Sequence, residues 1–245
     1  MIKQDLASVQ ARIASACAKA GRAPEEITVV AVSKGKTVSQ IKEVIAGGIT
    51  DIGENRVQEA LIKHNELITH NSELRAIKWH MVGHLQTNKV QDAVQLFDLI
   101  HSVDSLRLAE QINKESEKIH KSQDGLLEVN ISGEPSKFGI KPEETIGVIK
   151  EIAKFKNLNI KGLMGIAPIV DEPEKTRPYF RILRDLLAKI YPVQNYSATG
   201  KEKEVLNGAG EPLILSMGMS DDFEIAIEEG SNMLRLGRIV FEGLN

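Results

Sequence analysis

Cysteine is nearly absent from this 245-residue chain: Cys17 stands alone. A single thiol allows no intramolecular disulfide and no cysteine-built zinc site. Cys17 lies between Ala16 and Ala18 in a helical pattern, which reads as a small, inert, partly buried thiol. Long apolar runs are missing too. None reaches the ~18 residues of a membrane span, and the amphipathic N-terminus, which carries Asp5, has no signal-peptide core. The expected compartment is the cytoplasm. Charge of one sign is not in excess: 31 Lys+Arg against 34 Asp+Glu leave −3. That balance removes the electrostatic case for a dedicated nucleic-acid or anionic-membrane binder, though not for a local basic pocket. Low-complexity tracts and a dinucleotide-binding glycine fingerprint are also lacking. The remaining composition, 42% hydrophobic and 27% charged, is that of a globular chain long enough to bury its own core.

The hydrophobic pattern alternates between two periods. Residues 2–20 place Leu6, Val9, Ile13 and Ala16 on one helical face, and Gly21 and Pro24 end that helix. The β-branched run Ile27–Ser33 then reads as a buried strand. Val38, Ile41 and Ile45 restore helical spacing until Gly47-Gly48. The alternation continues with strands predicted at 49–53, 76–82, 98–103, 126–131, 160–166, 213–217 and 233–241. Helical stretches lie between them, at 57 onward, 88–96, 106–119, 143–155, 177–191 and 222–229. Eight strands, seven crossover helices and one helix in front imply parallel strands joined by right-handed crossovers. Eight such units of ~250 residues close into a (β/α)8 barrel of the TIM type, preferred over an open doubly wound sheet. Residues 1–245 are expected to form a single domain, with 194–211 as the one polar excursion.

In such a barrel the chemistry sits where the strands end. After the first strand comes Ser33-Lys34-Gly35-Lys36. Lys34 shares a strand face with Val30 and Val32. A lysine at a dry rim is expected to lose solvation, lowering its pKa and freeing an amine that attacks aldehydes. The bland alternative is a snorkelling rim lysine paired with Glu54; Lys36 reads as solvated. Near the last two strands, Gly218 permits a tight turn. Ser220 or Asp221 is placed to cap the next helix, and Arg235, Gly237 and Arg238 bring charge and close backbone approach. This reads either as a phosphate cradle, from which Asp221 and Asp222 must point away, or as an ordinary capped helix beside a salt-bridged arginine. Asn55, after the second strand, is a candidate hydrogen-bond partner for a ligand or a plain turn residue. His80 and His84 lie on a strand-to-loop segment, so His80 reads as a core histidine rather than a metal ligand, and Trp79 as packing between strand and helix.

Four strings together resemble the pyridoxal phosphate homeostasis protein family: Ala31-Val-Ser-Lys-Gly-Lys36, Gly53-Glu-Asn-Arg-Val-Gln-Glu59, Trp79-His-Met-Val-Gly-His-Leu-Gln-Thr-Asn-Lys89 and Leu215-Ser-Met-Gly-Met-Ser-Asp-Asp222. The resemblance runs from about residue 5 to 243. It implies a fold similar to the N-terminal barrel of bacterial alanine racemase and a Schiff base between Lys34 and pyridoxal 5′-phosphate (PLP). It further implies Arg235 at the pyridine nitrogen and Ser220 with the backbone around Gly237 and Arg238 at the phosphate, with help from Ser216. Asn55 would lie near the ring. The chain departs from the family pattern at Gly35, where threonine is usual, and at Thr37, where proline or alanine is usual. The segment before the seventh strand is longer than usual.

An arginine facing the pyridine nitrogen does not protonate it, which leaves the ring a weak electron sink. Racemisation also needs a second base on the opposite ligand face. Tyr179, Tyr191 and Tyr196 lie on or after the sixth crossover helix and are poor candidates. The sequence ends after the eighth strand, without the extra β domain of the racemase. The expectation is therefore a monomeric, non-catalytic carrier or buffer of PLP that delivers it to apo-enzymes, with no metal, nucleic-acid or membrane partner. A weak amino-acid racemase is the first alternative. A cofactor-free barrel enzyme acting on a phosphorylated metabolite is the second.

Overall fold

A computed structural model describes residues 2–70, 76–190 and 213–242. The expected excursion at 194–211 lies outside these residues, as do Tyr191 and Tyr196. Eight parallel strands pair in chain order, and the eighth pairs with the first, so the sheet closes into a barrel. The strands are β1 (Thr28–Val32), β2 (Asp51–Glu54), β3 (Lys78–Met81), β4 (Leu99–Val103), β5 (Gln123–Val129), β6 (Leu158–Gly165), β7 (Ile214–Ser216) and β8 (Met233–Leu236). Seven helices cross between them: α2 (Val38–Ala46), α3 (Val57–His70), α4 (Val90–Leu96), α5 (Leu106–Lys118), α6 (Thr145–Ile152), α7 (Arg177–Ile190) and α8 (Phe223–Glu228). A helix in front, α1 (Ile2–Ala20), packs against α8, α2 and a terminal helix α9 (Arg238–Phe241).

The predicted helical face of α1 is the buried one. Leu6, Val9, Ile13 and Ala16 all point into the core, and Cys17 is fully covered; burial pushes its thiol pKa up. The guanidinium of Arg12 donates twice to Glu224, at 2.8 and 2.7 Å, and fastens α1 to α8. Gly47 is required by packing, since a Cβ there would stand 2.2 Å from Leu6 Cδ1. Thr37 caps α2 by accepting from Gln40 N, and Gln40 Oε1 accepts from Thr37 N in return. That reciprocal box gives Thr37 a structural role.

Two predicted strands differ most from those observed. The run 233–241 is not one strand. The backbone leaves the extended region at Gly237 (φ −107°, ψ −86°) and continues as α9. Ile239, Val240 and Phe241 are all buried, as every residue of β8 is, so the apolar run reads as a continued strand and only the torsion at Gly237 ends it. The fifth strand begins at Gln123 and stops at Val129, before the predicted end at Ile131.

The barrel wall separates two interiors. Between sheet and helices lies a continuous apolar layer that includes Ile52, Trp79, Ile100, Leu127 and Leu234. Trp79 packs edge-on to His64 of α3, with centroids 5.6 Å apart. Inside the barrel a small apolar cluster of Val30, Val82, Leu99, Leu126, Met164 and Met233 shares the space with polar side chains. By strand alternation, Asp51, His80, His101, Glu128, Ser216 and Arg235 point the same way as that inner set. Most barrels of this type fill the interior with branched apolar residues. This one spends much of it on polar groups.

Candidate functional site

The site is built on neighbouring strands β7, β8, β1 and β2. β1 stops at Val32, and Ser33–Lys36 form a turn closed by Lys36 N donating to Ser33 O at 2.9 Å. Gly35 sits third in that turn with φ +69°, the pattern of a type II turn. Lys34 is therefore lifted off the strand and its side chain is exposed. This corrects the sequence expectation: the protein surface alone does not desolvate this lysine.

The alternative pairing with Glu54 is also absent. Glu54 is one residue beyond the inward-facing Gly53, so it points outward and is completely buried. Its Oε1 accepts from Lys63 Nζ of α3 and from Ser33 Oγ, each at 2.5 Å. Lys63 Nζ also donates to Ser33 O at 2.7 Å. A buried ion pair thus grips the residue before Lys34 from behind, while Glu54 Oε2 has no partner.

Arg235 is the opposite case. It is buried in the barrel, with Nη1 donating to Ser216 Oγ at 2.7 Å and Nη2 to Gly165 O at 2.9 Å. Burial pulls its pKa down to about 10, with Asp222 and Glu128 working against that shift. It stays charged at neutral pH. In register, Arg235 pairs with Val30 and Leu236 with Ala31. Gly237 consequently follows beside Val32, and the Lys34 turn rises beyond it on the adjacent strand.

Ser216 has no exposed surface, and its hydroxyl lies between Arg235 and His101 Nδ1, 3.0 Å away. The hydroxyl expected to help at a phosphate is thus engaged on both sides by protein groups. Ser220 is at the rim instead, where its Oγ accepts from Ile239 N at 3.4 Å and joins the loop after β7 to the start of α9. Neither Ser220 nor Asp221 caps α8. The cap position is Asp222, which makes no side-chain cap bond to that helix. Its Oδ1 accepts from Met219 N at 2.6 Å and folds back into its own loop. Asp221 pairs with the exposed guanidinium of Arg238. Gly218 is held at φ +95°, where a Cβ would meet Ala226 at 2.7 Å. Asn55 is half-buried after β2. Gly83 approaches its backbone so closely that a Cβ there would lie 2.5 Å from Asn55 O.

Sequence reading missed four residues. Asp51, His101 and Glu128 are polar positions in otherwise apolar strands, the same signal that singled out Lys34. Lys63, on a helix face, gave no such signal. Glu128 has its pKa raised to about 7, first by burial and then by Asp104, with Arg235 opposing. His80 is a core histidine, as expected, with both ring nitrogens engaged. His84 points elsewhere, pairing with Asp104 at 2.9 Å and stacking on Phe138. Among the described residues no three His, Cys, Asp or Glu side chains gather to hold a metal. No described helix is long and apolar enough to cross a membrane.

The closed parallel barrel, with a lysine turn on β1 and a buried arginine on β8, defines a barrel of the alanine racemase N-terminal domain class, and that family matches residues 4–244. Within that class the chain belongs to the pyridoxal phosphate homeostasis protein family. It is 38% identical to the member from Aquifex aeolicus, covering 96% of this chain and 95% of that one. It is 37% identical to the Escherichia coli member, with 98% and 95% covered. Among solved structures, PipY of Synechococcus elongatus with PLP bound superposes with a TM-score of 0.77 at 30% identity, covering 98% of this chain and 100% of that one. Alanine racemase of Clostridium difficile shares the fold, with a TM-score of 0.68 at 18% identity; 97% of this chain covers 56% of that chain.

Proposed function

We propose that the chain binds PLP at the barrel mouth, holds it covalently on Lys34, and serves intracellular vitamin B6 homeostasis as a carrier and buffer rather than as a strong catalyst. The observation that carries this reading is the buried guanidinium of Arg235, fixed at two points directly below the exposed Lys34 turn. The fit of the site supports it. Gly237 lies beside Val32, where a Cβ would make ordinary contact with Val32 O at 3.5 Å. Ser220 and the start of α9 meet at the same rim. The PLP-bound relative PipY adds support at the level of the whole barrel.

In this reading Lys34 Nζ holds the aldehyde carbon and Arg235 donates toward the pyridine nitrogen. Ser220 and the backbone of Gly237 and Arg238 receive the phosphate, and Asn55 lies beside the ring. When bound, the group supplies an aldehyde that condenses reversibly with a primary amine, releasing water. Arg235 keeps its proton, so it orients the ring without making it a strong electron sink. Exposure of Lys34 suits a reversible carrier, because water and competing amines reach the linkage. Apo-enzymes that need the cofactor are the recipients this chemistry suits.

The test is saturation with PLP, borohydride reduction and peptide mapping. A yellow protein with a reduced pyridoxyl adduct on Lys34 is the expected result; a colourless protein without the adduct overturns the reading. One observation favours a second reading. Glu128 is an inward-facing carboxyl that titrates near neutrality, as a general base does. Entry of solvent deuterium at the α-carbon of an added amino acid, abolished by Glu128→Gln, would replace the carrier with a proton-transfer enzyme.

A further inference from the structure

The most unusual feature of the barrel interior is a continuous hydrogen-bond chain across it. Arg235 Nη1 meets Ser216 Oγ at 2.7 Å, Ser216 Oγ meets His101 Nδ1 at 3.0 Å, His101 Nε2 meets His80 Nδ1 at 3.0 Å, and His80 Nε2 meets Asp51 Oδ1 at 3.0 Å. The chain joins β8, β7, β4, β3 and β2. His80, His101, Ser216 and Arg235 are buried, whereas Asp51, at the start of β2, lines a groove on the opposite face with Gln10, Thr28 and Thr50.

The two ends fix the direction of every bond. A guanidinium only donates and a carboxylate only accepts; a neutral imidazole does one of each, and a hydroxyl donates once and accepts up to twice, so with both rings neutral the carboxylate end sets the order. Arg235 therefore donates to Ser216, Ser216 to His101 Nδ1, His101 Nε2 to His80 Nδ1, and His80 Nε2 to Asp51. We propose that Asp51, His80 and His101 form a one-directional relay that turns the Ser216 hydrogen toward His101 and leaves the oxygen's lone pairs facing Arg235. This makes Asp51, at the barrel floor, a positioning residue for the ligand end of the mouth. The second part rests on the PLP reading above; the first does not.

The charges around the chain agree with it. Burial, followed by His80 and Arg235, holds His101 well below the usual histidine range, so it stays neutral. Burial works against the charge of Asp51, but the hydrogen bond from His80, with Thr50 and Lys78, outweighs it and keeps the carboxylate ionised. Glu128 from β5 and Asp222 from the loop after β7 act on Arg235, and neither is hydrogen-bonded into the chain. One added proton would reverse the relay. An imidazolium at His80 donates at both nitrogens, which turns His101 Nε2 into an acceptor and moves its hydrogen to Nδ1. Ser216 then accepts from both sides and its own hydrogen is released. The protonation state at the floor is thereby written into the orientation of a hydroxyl beneath the mouth.

The test uses the full chain labelled with 15N-histidine, with resonances assigned through His80→Gln and His101→Gln. Long-range proton–nitrogen spectra of the ligand-free protein at pH 7 are expected to show both rings neutral, with hydrogen on Nε2. Asp51→Leu should let the Nδ1–H form of His101 grow at pH 7 and weaken the Kd for PLP about tenfold, and Asp51→Glu should restore both. An Nδ1–H or charged His101 at pH 7 overturns the relay. Asp51→Leu with an unmoved Kd overturns the coupling to the mouth. If the unaltered protein takes up no PLP at all, the carrier reading falls, and the tautomer pattern still decides the relay.

Discussion

The two strands that flank the mouth treat their cations in opposite ways. On β8, Arg235 is buried and anchored at two points by groups inside the barrel. On β1, Lys34 is exposed in a turn, and its support comes from outside the barrel, through the grip of Glu54 and Lys63 on Ser33. The difference follows from what each cation does in the proposed carrier. An amine that captures and releases an aldehyde must be reachable and able to move. A group that orients a ring works best when it neither moves nor meets water. The inner system is a relay whose every link donates and accepts, whereas the outer one leaves Glu54 Oε2 without a partner. Unequal saturation is what distinguishes a pre-organised surface from a structural brace.

The largest expected effect falls on the exposed side and concerns chemistry alone. Lys34→Ala should abolish the borohydride-trapped adduct completely. It should move stability by no more than about 0.5 kcal/mol, as for other exposed substitutions away from packing. Mass spectrometry paired with urea unfolding checks both halves. A large stability loss would show that Lys34 is a structural residue after all and erase the contrast.

Second comes the brace. Lys63→Met leaves the Glu54 carboxylate buried without its ion partner, a change that costs about 3–5 kcal/mol. The double variant Glu54→Leu/Lys63→Met should recover most of that loss, because a buried pair replaced by apolar groups of similar volume is often neutral. Urea midpoints at pH 7 measure this. Failure of the double variant to recover would mean that the Lys63 bond to Ser33 O, and not the charge pairing, carries the stability.

Glu128 sharpens the comparison from the buried side. Its folded-state pKa near 7 lies above the usual carboxyl value of 4.5, so the folded protein binds more protons than the unfolded chain between those pH values. Stability therefore falls as pH rises from about 4.5 to 7, by at most about 3 kcal/mol. Glu128→Gln should remove this slope, stabilising the protein at pH 8 and changing little at pH 4. Thermal melts across that range provide the check. An unaltered slope in the variant would place the titration on another group.

Much of this architecture can be read from residues alone, and the reasons are local. Strand and helix periods differ by nearly a factor of two, so a repeated switch such as Val29–Val32 followed by Val38, Ile41 and Ile45 identifies the barrel. Candidate site positions stand out because polar residues and glycines follow apolar strands at their ends. What could not be read was which partner each residue takes. Glu54 chose Lys63 over Lys34 because of a turn and a strand parity at the last residue of β2. Ser216 sits behind Arg235 because β7 ends at Ser216 and places it inward. The relay needs a register across five strands, and no linear spacing encodes it. The strand predicted to Phe241 failed at Gly237, where a change in backbone torsion turned an apolar run into a helix.

The smallest effect tests the turn that lifts Lys34 away from the wall. Gly35 adopts φ +69°, and a Cβ built there meets nothing within 4 Å. Any cost of Gly35→Ala is therefore backbone strain, with no steric part. The left-handed region costs an alanine roughly 1–2 kcal/mol, and the stiffer unfolded chain returns about 0.4–1 kcal/mol of this. A net loss near 1 kcal/mol is expected by urea unfolding, with the adduct on Lys34 still forming. Threonine is β-branched and bears the same strain with less rotamer freedom. A chain that accepts threonine here without loss would have to leave the left-handed region, bringing Lys34 back toward the strand face of Val30 and Val32. Measured together, Gly35→Ala and Gly35→Thr thus separate two sources of the exposure of Lys34. If both cost about the same, the surrounding loops impose the turn; if threonine alone is tolerated, the exposure is a consequence of glycine at position 35.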